Sequence, residues 1–250
     1  MAKEDRFAGK TIIVTGAGSG IGRATAVRLA EEGARLIVSD VVAGRLDELK
    51  TSLTGADVRT IVGDISNPRT VEGTADACGG QLHGLANIAG IMDGFLPVGE
   101  LDDETWERVM GVNITAPMRL TRAALPLLIE AGGGSIVNVA SEAALRGSAA
   151  GAAYTASKHA VIGLTKNTAF MYGPQGVRVN AVAPGAVATN IEAGIRSEFA
   201  AGRIFPLMQA IGSPVADPQR LAAAITWLLS DDSLNVNGAI LPSDGGWSAV

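Results

Sequence analysis

The feature that most constrains this chain is an alternation, running from end to end, of short apolar runs with segments whose apolar residues recur at helical spacing. "KTIIVT" (10–15), "ARLIVSD" (34–40), "VRTIVGD" (58–64), "LHGLANIAG" (82–90), "SIVNVAS" (135–141), "VRVNAVAP" (177–184) and "GAILPSDGG" (238–246) read as seven strands. They are nearly continuous in apolar residues, the pattern of strands covered on both faces. Between them, "RATAVRLAEEG" with a stop at Gly33, "AGRLDELKTSL" with Leu46, Leu49 and Leu53 on one face, and "NPRTVEGTADAC" with Pro68 at its start read as helices. A long helical region from Asp102 to residue 132, a helix over 152–173 and "PQRLAAAITWLLS" (218–230) complete the series. The expected architecture is α/β: a doubly wound, Rossmann-type, seven-stranded parallel sheet with helices on both faces and its ligand crevice beyond the carboxyl ends of the strands. At 250 residues, 47% of them hydrophobic, one domain over 1–250 is expected.

The first strand runs into "TGAGSGIG", Thr15 to Gly22, four glycines in eight positions. Glycine gives up packing and backbone entropy, so such a concentration belongs where the chain must take positive φ or let another molecule approach closely. Here it falls at a strand-to-helix turn, where free N–H groups and the positive end of the helix dipole suit a phosphate. The spacing from Gly16 is G-x-x-x-G-x-G rather than G-x-G-x-x-G. Asp40 closes the second strand about 20 residues on, where a carboxylate can accept from both hydroxyls of an adenosine ribose and would repel a 2′-phosphate. That favours NAD over NADP; the alternative reading of Asp40 is a helix N-cap.

Charge and cysteine usage exclude other classes. The net charge is −5 with no lysine or arginine cluster, so nucleic acid and acidic membranes are not expected partners. "MAKEDRFAGK" has no apolar core, and no apolar stretch approaches a membrane span, so a soluble, cytoplasmic protein is expected. A lone Cys78 and two histidines, His83 and His159, offer no metal-ligand cluster, and no metal is expected. Cys78 reads as a packing residue.

"YTASK" sets Tyr154 and Lys158 at i and i+4, one turn apart on the same helical face. A phenol with a pKa near 10 is a poor acid–base group at neutral pH until a neighbouring cation favours the phenolate, which this lysine could supply. Ser141, at the end of the fifth strand, could hold a substrate oxygen, and Asn113 lies in the preceding helical region. Singly, each also reads as packing, a solvated face, a cap or a helix irregularity. Jointly, behind a dinucleotide loop, they point to chemistry.

These elements carry a resemblance. Thr15-Gly16-x-x-x-Gly20-Ile21-Gly22, Asp64, Asn87-Ile88-Ala89-Gly90, Asn113, Ser141, Tyr154-x-x-x-Lys158 and "PGAVAT" (184–189), in this order from about Lys10 to Gly246, resemble the short-chain dehydrogenase/reductase family. The resemblance implies that Tyr154 is the general acid/base, that Lys158 lowers its pKa and binds the nicotinamide ribose, that Ser141 polarises the substrate oxygen, and that Asn113 shapes a proton-relay water. It implies cofactor contacts from Gly16, Ser19, Gly20, Ile21 and Gly22 to the pyrophosphate, and from Asp64 and Ile65 to adenine. Asn87, Ala89 and Gly90 would line the adenosine ribose, and Pro184, Gly185, Val187 and Thr189 would hold the nicotinamide end. The implied function is NAD-dependent interconversion of a secondary alcohol and a ketone; the alternatives are a dinucleotide-sensing regulator without chemistry, or a 3-oxoacyl-thioester reductase, whose usual NADPH preference Asp40 opposes. A homotetramer built on the helices near 103–130 and 152–173, with contacts from "SDGGWSAV", is likewise implied.

Ile88 replaces a polar residue frequent in the family. Glu142 and Arg146 follow Ser141; they could bind a polar substrate or pair with each other in solvent. Residues 185–218 show no firm helical register, and the apolar Ile195, Phe199, Ile204, Phe205 and Met208 suggest a lid over an apolar substrate, with core or subunit-interface packing as the other reading. Trp106, Trp227 and Trp247 read as packing residues.

Overall fold

The computed structural model describes residues 5–191, 194–211 and 214–249; residues 192, 193, 212 and 213 of the expected lid lie outside the described residues. Seven strands, β1 (Thr11–Thr15), β2 (Arg35–Asp40), β3 (Val58–Val62), β4 (Gly84–Asn87), β5 (Gly134–Val139), β6 (Val177–Pro184) and β7 (Ile240–Ser243), form one parallel sheet in the order β3-β2-β1-β4-β5-β6-β7. Strand order reverses between β1 and β4, which opens a crevice at their carboxyl ends.

The continuity of the apolar runs has a direct cause. Ile12, Val14, Leu36 and Val38 point to one face of the sheet, and Ile13, Ile37 and Leu85 point to the other, all fully buried. The first face packs on α1 (Gly20–Glu31), α2 (Ala43–Ser52) and α8 (Pro218–Leu229) through Leu29, Leu46, Leu49, Leu221 and Ile225. The second packs on α3 (Pro68–Asp76), α5 (Ala116–Glu130) and α6 (Ala152–Tyr172) through Val71, Leu120, Leu128 and Ala169. Each fully buried Leu or Ile contributes about 1.5–3 kcal/mol, so both layers hold the sheet. Cys78 is fully buried in the second layer, and Pro68 opens α3 behind an Asn67 cap, as the sequence suggests.

Several strands are shorter than their apolar runs. β4 stops at Asn87 because the next two amides leave the ladder: Ile88 N and Ala89 N donate to Thr15 Oγ1 at 2.9 and 3.1 Å. β5 stops at Val139, so Ser141 stands two residues beyond the strand instead of ending it, capping a short 3₁₀ turn by accepting from Ala143 N at 3.1 Å. Leu53 caps the C-terminus of α2 and is only partly buried.

The long helical region is α4 (Asp103–Met110) and α5 joined by one π-helical segment, Gly111–Thr115, with Asn113 buried inside it. The segment expected to be irregular contains a helix, α7 (Glu198–Ile211). Ser197 Oγ accepts from Ala200 N at 3.0 Å at its start, and Ala200, Ile204 and Met208, four residues apart, pack on Phe95, Met92 and Ile195. The register is masked in the sequence by Phe199, Phe205 and Leu207 on the exposed faces and by Gly202 and Pro206 inside the helix. Of the three tryptophans, Trp247 is buried, while Trp106 and Trp227 are 40% and 37% exposed and only partly serve packing. No helix among the described residues is long and apolar enough to cross a membrane.

Candidate active site

At the amino end of α1 the backbone itself makes the surface. Ser19 takes the N-cap position in extended conformation without bonding the helix through its side chain, so the first amides of α1 are left facing outward. The glycines here cannot be replaced. A Cβ at Gly22 would lie 2.0 Å from the Gly16 carbonyl oxygen, one at Gly16 3.0 Å from Ala89 Cα, and one at Gly20 2.9 Å from the side chain of Thr189. The loop is therefore pressed between the turn after β4 and the segment after β6, and Ile21 packs on the core behind it.

Asp40 ends β2 against this loop. Its Oδ2 accepts from Gly18 N at 2.9 Å and its Oδ1 from Val42 N at 3.0 Å. Val42, not Asp40, occupies the N-cap of α2, so the carboxylate is held toward the glycine turn and does not cap the helix. The other expected cofactor residues divide. Ala89 borders the loop at Gly16 and Gly90 faces Asn113 and Lys158, but the Asn87 side chain turns inward, donating to Asn138 Oδ1 at 2.8 Å and to Thr121 Oγ1 at 3.3 Å. Asp64 Oδ1 accepts from Ser66 N and Oγ, and Ile65 is buried in the core layer of α3 and α5. After β6, which ends at Pro184, Gly185 backs onto Asp244, and Val187 forms a parallel bridge with Ala216.

Beside this end, three elements, the π segment, the 3₁₀ turn after β5 and α6, bring Asn113, Ser141, Tyr154 and Lys158 together. Tyr154 and Lys158 lie one turn apart on α6, both buried, with Lys158 Nζ 5.5 Å from the centre of the phenol ring. Lys158 Nζ also donates to Val139 O at 2.8 Å, at the end of β5. A Cβ on Gly90 would lie 3.3 Å from Asn113 Oδ1 and 3.4 Å from Lys158 Nζ, so both groups converge on this glycine at close range. Asn113 Oδ1 accepts from Ile91 N, and its Nδ2 donates to Ile91 O and Ser157 Oγ, all within 3.1 Å. The π segment is what turns Asn113 toward this contact.

The electrostatics are set by burial first. Desolvation raises the Tyr154 phenol to about 12; the Ser141 hydroxyl favours the ionised form, and the charge of Asp93 opposes it. Desolvation lowers Lys158 to about 8. In the protein alone burial is therefore the leading cause of both shifts, while Lys158 Nζ stands 5.5 Å from the centre of the phenol ring. Glu142 and Arg146 do pair, Oε2 to Nε at 3.0 Å, but out of solvent: Glu142 is fully buried and also meets Asp244. Burial and that second carboxyl push Glu142 to about 7.

A family model for short chain dehydrogenases matches residues 10–199. The chain is 42% identical to 3beta-hydroxysteroid dehydrogenase 2 of Eggerthella lenta, an alignment that covers 97% of this chain and 96% of that one. Among solved structures, a short-chain dehydrogenase from Mycobacterium paratuberculosis bound to NAD is 30% identical with a TM-score of 0.89, covering 98% of this chain and all of that one. A Beutenbergia cavernae protein bound to NADP at low occupancy is 34% identical with a TM-score of 0.87, covering 97% and 98%.

The chain belongs to the short-chain dehydrogenase family.

Members of this family bind a nicotinamide dinucleotide, and the loop fits that group. Its uncapped first-turn amides suit the pyrophosphate, and glycines that admit no Cβ suit close approach of a large ligand. In this short-chain dehydrogenase two side chains, Ser157 and Asp93, escape sequence reasoning, and a third, Thr15, is marked only as part of the glycine motif. Ser157 joins Asn113 to α6 and donates to Tyr154 O at 2.8 Å; its only signal is its place inside "YTASK". Thr15 ties β1 to the turn after β4, and Asp93 bonds the backbone of Tyr154 itself at 2.9 Å. Neither spacing nor composition marks an aspartate as the partner of a helix about 60 residues away.

Proposed function

We propose that this short-chain dehydrogenase is an NAD-dependent oxidoreductase that interconverts a secondary alcohol and a ketone, with Tyr154 as general acid/base. The observation that carries the reading is the convergence of Tyr154, Lys158, Ser141 and Asn113 at the crevice beside the glycine turn. The bound dinucleotide supplies the hydride acceptor or donor, and the chain's own residues handle the proton and the geometry. Ser141 donates to the substrate oxygen and favours the phenolate; Tyr154 takes the alcohol proton or returns it. Lys158 holds a cation beside the phenol and reaches the nicotinamide ribose, and Asn113 keeps open a route for water behind it. Gly16, Ser19, Gly20, Ile21 and Gly22 hold the pyrophosphate, Asp64 and Ile65 the adenine, and Asp40 with Asn87 to Gly90 the adenosine ribose. Pro184, Gly185, Val187 and Thr189 hold the nicotinamide end.

The position of Asp40 supports NAD, since a carboxylate fixed over the glycine turn repels a 2′-phosphate. It also speaks against a 3-oxoacyl-thioester reductase of the usual NADPH preference. The buried apolar stripe of α7 and its exposed Phe199, Phe205 and Leu207 support a lid, within 185–218, over a mainly apolar substrate, and the hydroxysteroid relative suits that class. A cytoplasmic, single-domain subunit over 1–250 forming a homotetramer through α4, α5 and α6 completes the reading; exposed Trp106, Phe170 and Met171 on these helices support the assembly.

The test is a panel of secondary alcohols and ketones, hydroxysteroids included, followed through nicotinamide absorbance with NAD and NADH, beside an NADH binding titration. Tyr154→Phe is expected to bind NADH with unchanged affinity and to lose turnover by about 10²–10⁴-fold. Retained turnover in this variant refutes the role of Tyr154. NADH binding by the wild type with no turnover on the panel favours the sensor.

A further inference from the structure

α6 opens without a cap of its own. Its N-cap residue is Gly151, and a Cβ there would lie 2.5 Å from Leu96 N, so no capping side chain fits at that position. The backbone is this close because Ala152 N donates to Leu96 O at 2.9 Å, fastening the helix to the loop between β4 and α4. The amide of Tyr154, third in the helix, has no acceptor within the helix. Its acceptor is Asp93 Oδ2, at 2.9 Å, while Asp93 Oδ1 accepts from Phe95 N at 3.0 Å. Asp93 is 1% exposed, and its two oxygens would lie 2.5 and 2.6 Å from a Cβ on Gly151, filling the space a cap would take.

The loop that presents this carboxylate is unusual in its backbone. Phe95 has φ of +59°, the only non-glycine residue among those described with positive φ. For a bulky residue that conformation persists only where surrounding contacts fix it. Here the ring packs on Ala200 and Ile204 of α7, and Gly94 O accepts from Arg196 N just ahead of that helix. One carboxylate thus spans a strained turn under α7 and the first turn of the helix that carries Tyr154.

We infer that Asp93 is a positioning residue for Tyr154: from the β4–α4 loop it supplies the cap that α6 lacks, and so fixes where the phenol stands. The inference rests on Tyr154 being the general acid/base. A residue that merely stabilised the fold would leave the phenol's ionisation alone. Asp93 does not, because the groups facing this phenol are the Lys158 ammonium, the Ser141 hydroxyl and the Asp93 carboxylate, and the last opposes its ionisation.

The experiment uses the full chain with Asp93→Asn and Asp93→Ala. Labelling with ¹⁵N-tyrosine gives two amide signals, Tyr154 and Tyr172. In Asp93→Ala the Tyr154 amide is expected to exchange at least tenfold faster, with Tyr172 unchanged, and kcat to fall about 10–100-fold while KM and the NADH Kd stay within threefold. Asp93→Asn, whose amide oxygen still accepts, is expected to fall between wild type and alanine in both readouts, and its alcohol-oxidation limb to move to lower pH because the opposing charge is gone. Unchanged exchange at Tyr154 in both variants, or an unmoved pH limb with unchanged kcat, overturns the inference. A wild type that binds NADH yet turns over nothing defeats the oxidoreductase reading instead, and the amide exchange still decides the cap.

Discussion

The two sides of the crevice are made from different material. On the nucleotide side the surface is backbone: amides at the start of α1, and glycines whose missing Cβ atoms would meet the Gly16 carbonyl oxygen, Ala89 Cα or the Thr189 side chain at 2.0–3.0 Å. On the α7 side the surface is side chains: Phe199, Phe205 and Leu207 stand 46–65% exposed on a helix that holds the molecule by Ala200, Ile204 and Met208. A backbone surface is tied to a fixed ligand geometry and tolerates no added atom. A side-chain surface can change residue by residue without disturbing the sheet. That contrast suits a constant cofactor at the glycine turn and fits the proposed place of a variable substrate beside α7.

The sharpest way to break the contrast is a single methyl group. Gly22→Ala places a carbon 2.0 Å from a backbone oxygen that cannot move without dragging β1 and α1 with it. Overpacking of this kind costs about 1–3 kcal/mol or more, and we expect a lowered melting temperature together with loss of NADH binding in a fluorescence titration. The next largest effect lies at the boundary between the sides. Lys158 is buried, and its pKa is lowered from 10.5 to about 8. The unfolded chain therefore binds more protons than the folded one between pH 8 and 10.5, so this group's penalty is full below pH 8 and fades as pH rises toward 10.5. Lys158→Met is expected to unfold at a higher temperature than wild type at pH 7, by a margin that narrows toward pH 10, although the lost bond to Val139 O offsets part of the gain. Turnover in the same variant should fall by at least about a hundredfold. A variant both less stable at pH 7 and fully active would contradict the burial argument and the catalytic one together.

The same contrast explains what could be read from the sequence. The sheet was legible because its inner strands are apolar and buried on both faces, and the seven runs in the sequence are the seven strands of the sheet. The glycine turn was legible because a backbone surface needs glycine, which is visible one residue at a time. α7 was not. Its buried stripe at 200, 204 and 208 is outnumbered by apolar residues kept on the surface for something other than the core, so the helical period is drowned. Asn87 carries something the sequence does not show: the family motif marks it for the cofactor, and its amide also bonds Asn138 and Thr121 across the sheet. Asp93 could not be found at all, because its partner is a backbone amide and leaves no trace in residue types.

Asp40 tests whether one charge gives the proposed selectivity for NAD. Asp40→Ala removes the carboxylate and both of its bonds to the loop, to Gly18 N and Val42 N. If the charge decides, the NAD/NADP ratio of kcat/KM should shrink by roughly 10–100-fold, the range set by hydrogen bonds to a charged group of about 1.5–3 kcal/mol. An unchanged ratio would remove Asp40 as the ground for proposing NAD.

The smallest predicted effect has the opposite sign to the first. Gly202 lies inside α7, and a Cβ added there meets nothing within 4 Å. Gly202→Ala carries the same chemical change as Gly22→Ala, but here it only removes backbone freedom from the unfolded chain and raises helix propensity. It should stabilise the protein by about 0.5–1 kcal/mol, a rise of a few degrees in melting temperature, with the NADH Kd unchanged. If Gly202→Ala instead lowered the melting temperature, a neighbour would have to occupy that face of α7, either in the assembled oligomer or in a closed position of the helix. The contrast would then be between a fixed side and a side completed by another surface, and the melting curve at two protein concentrations would tell these apart, since only the oligomer depends on mass action.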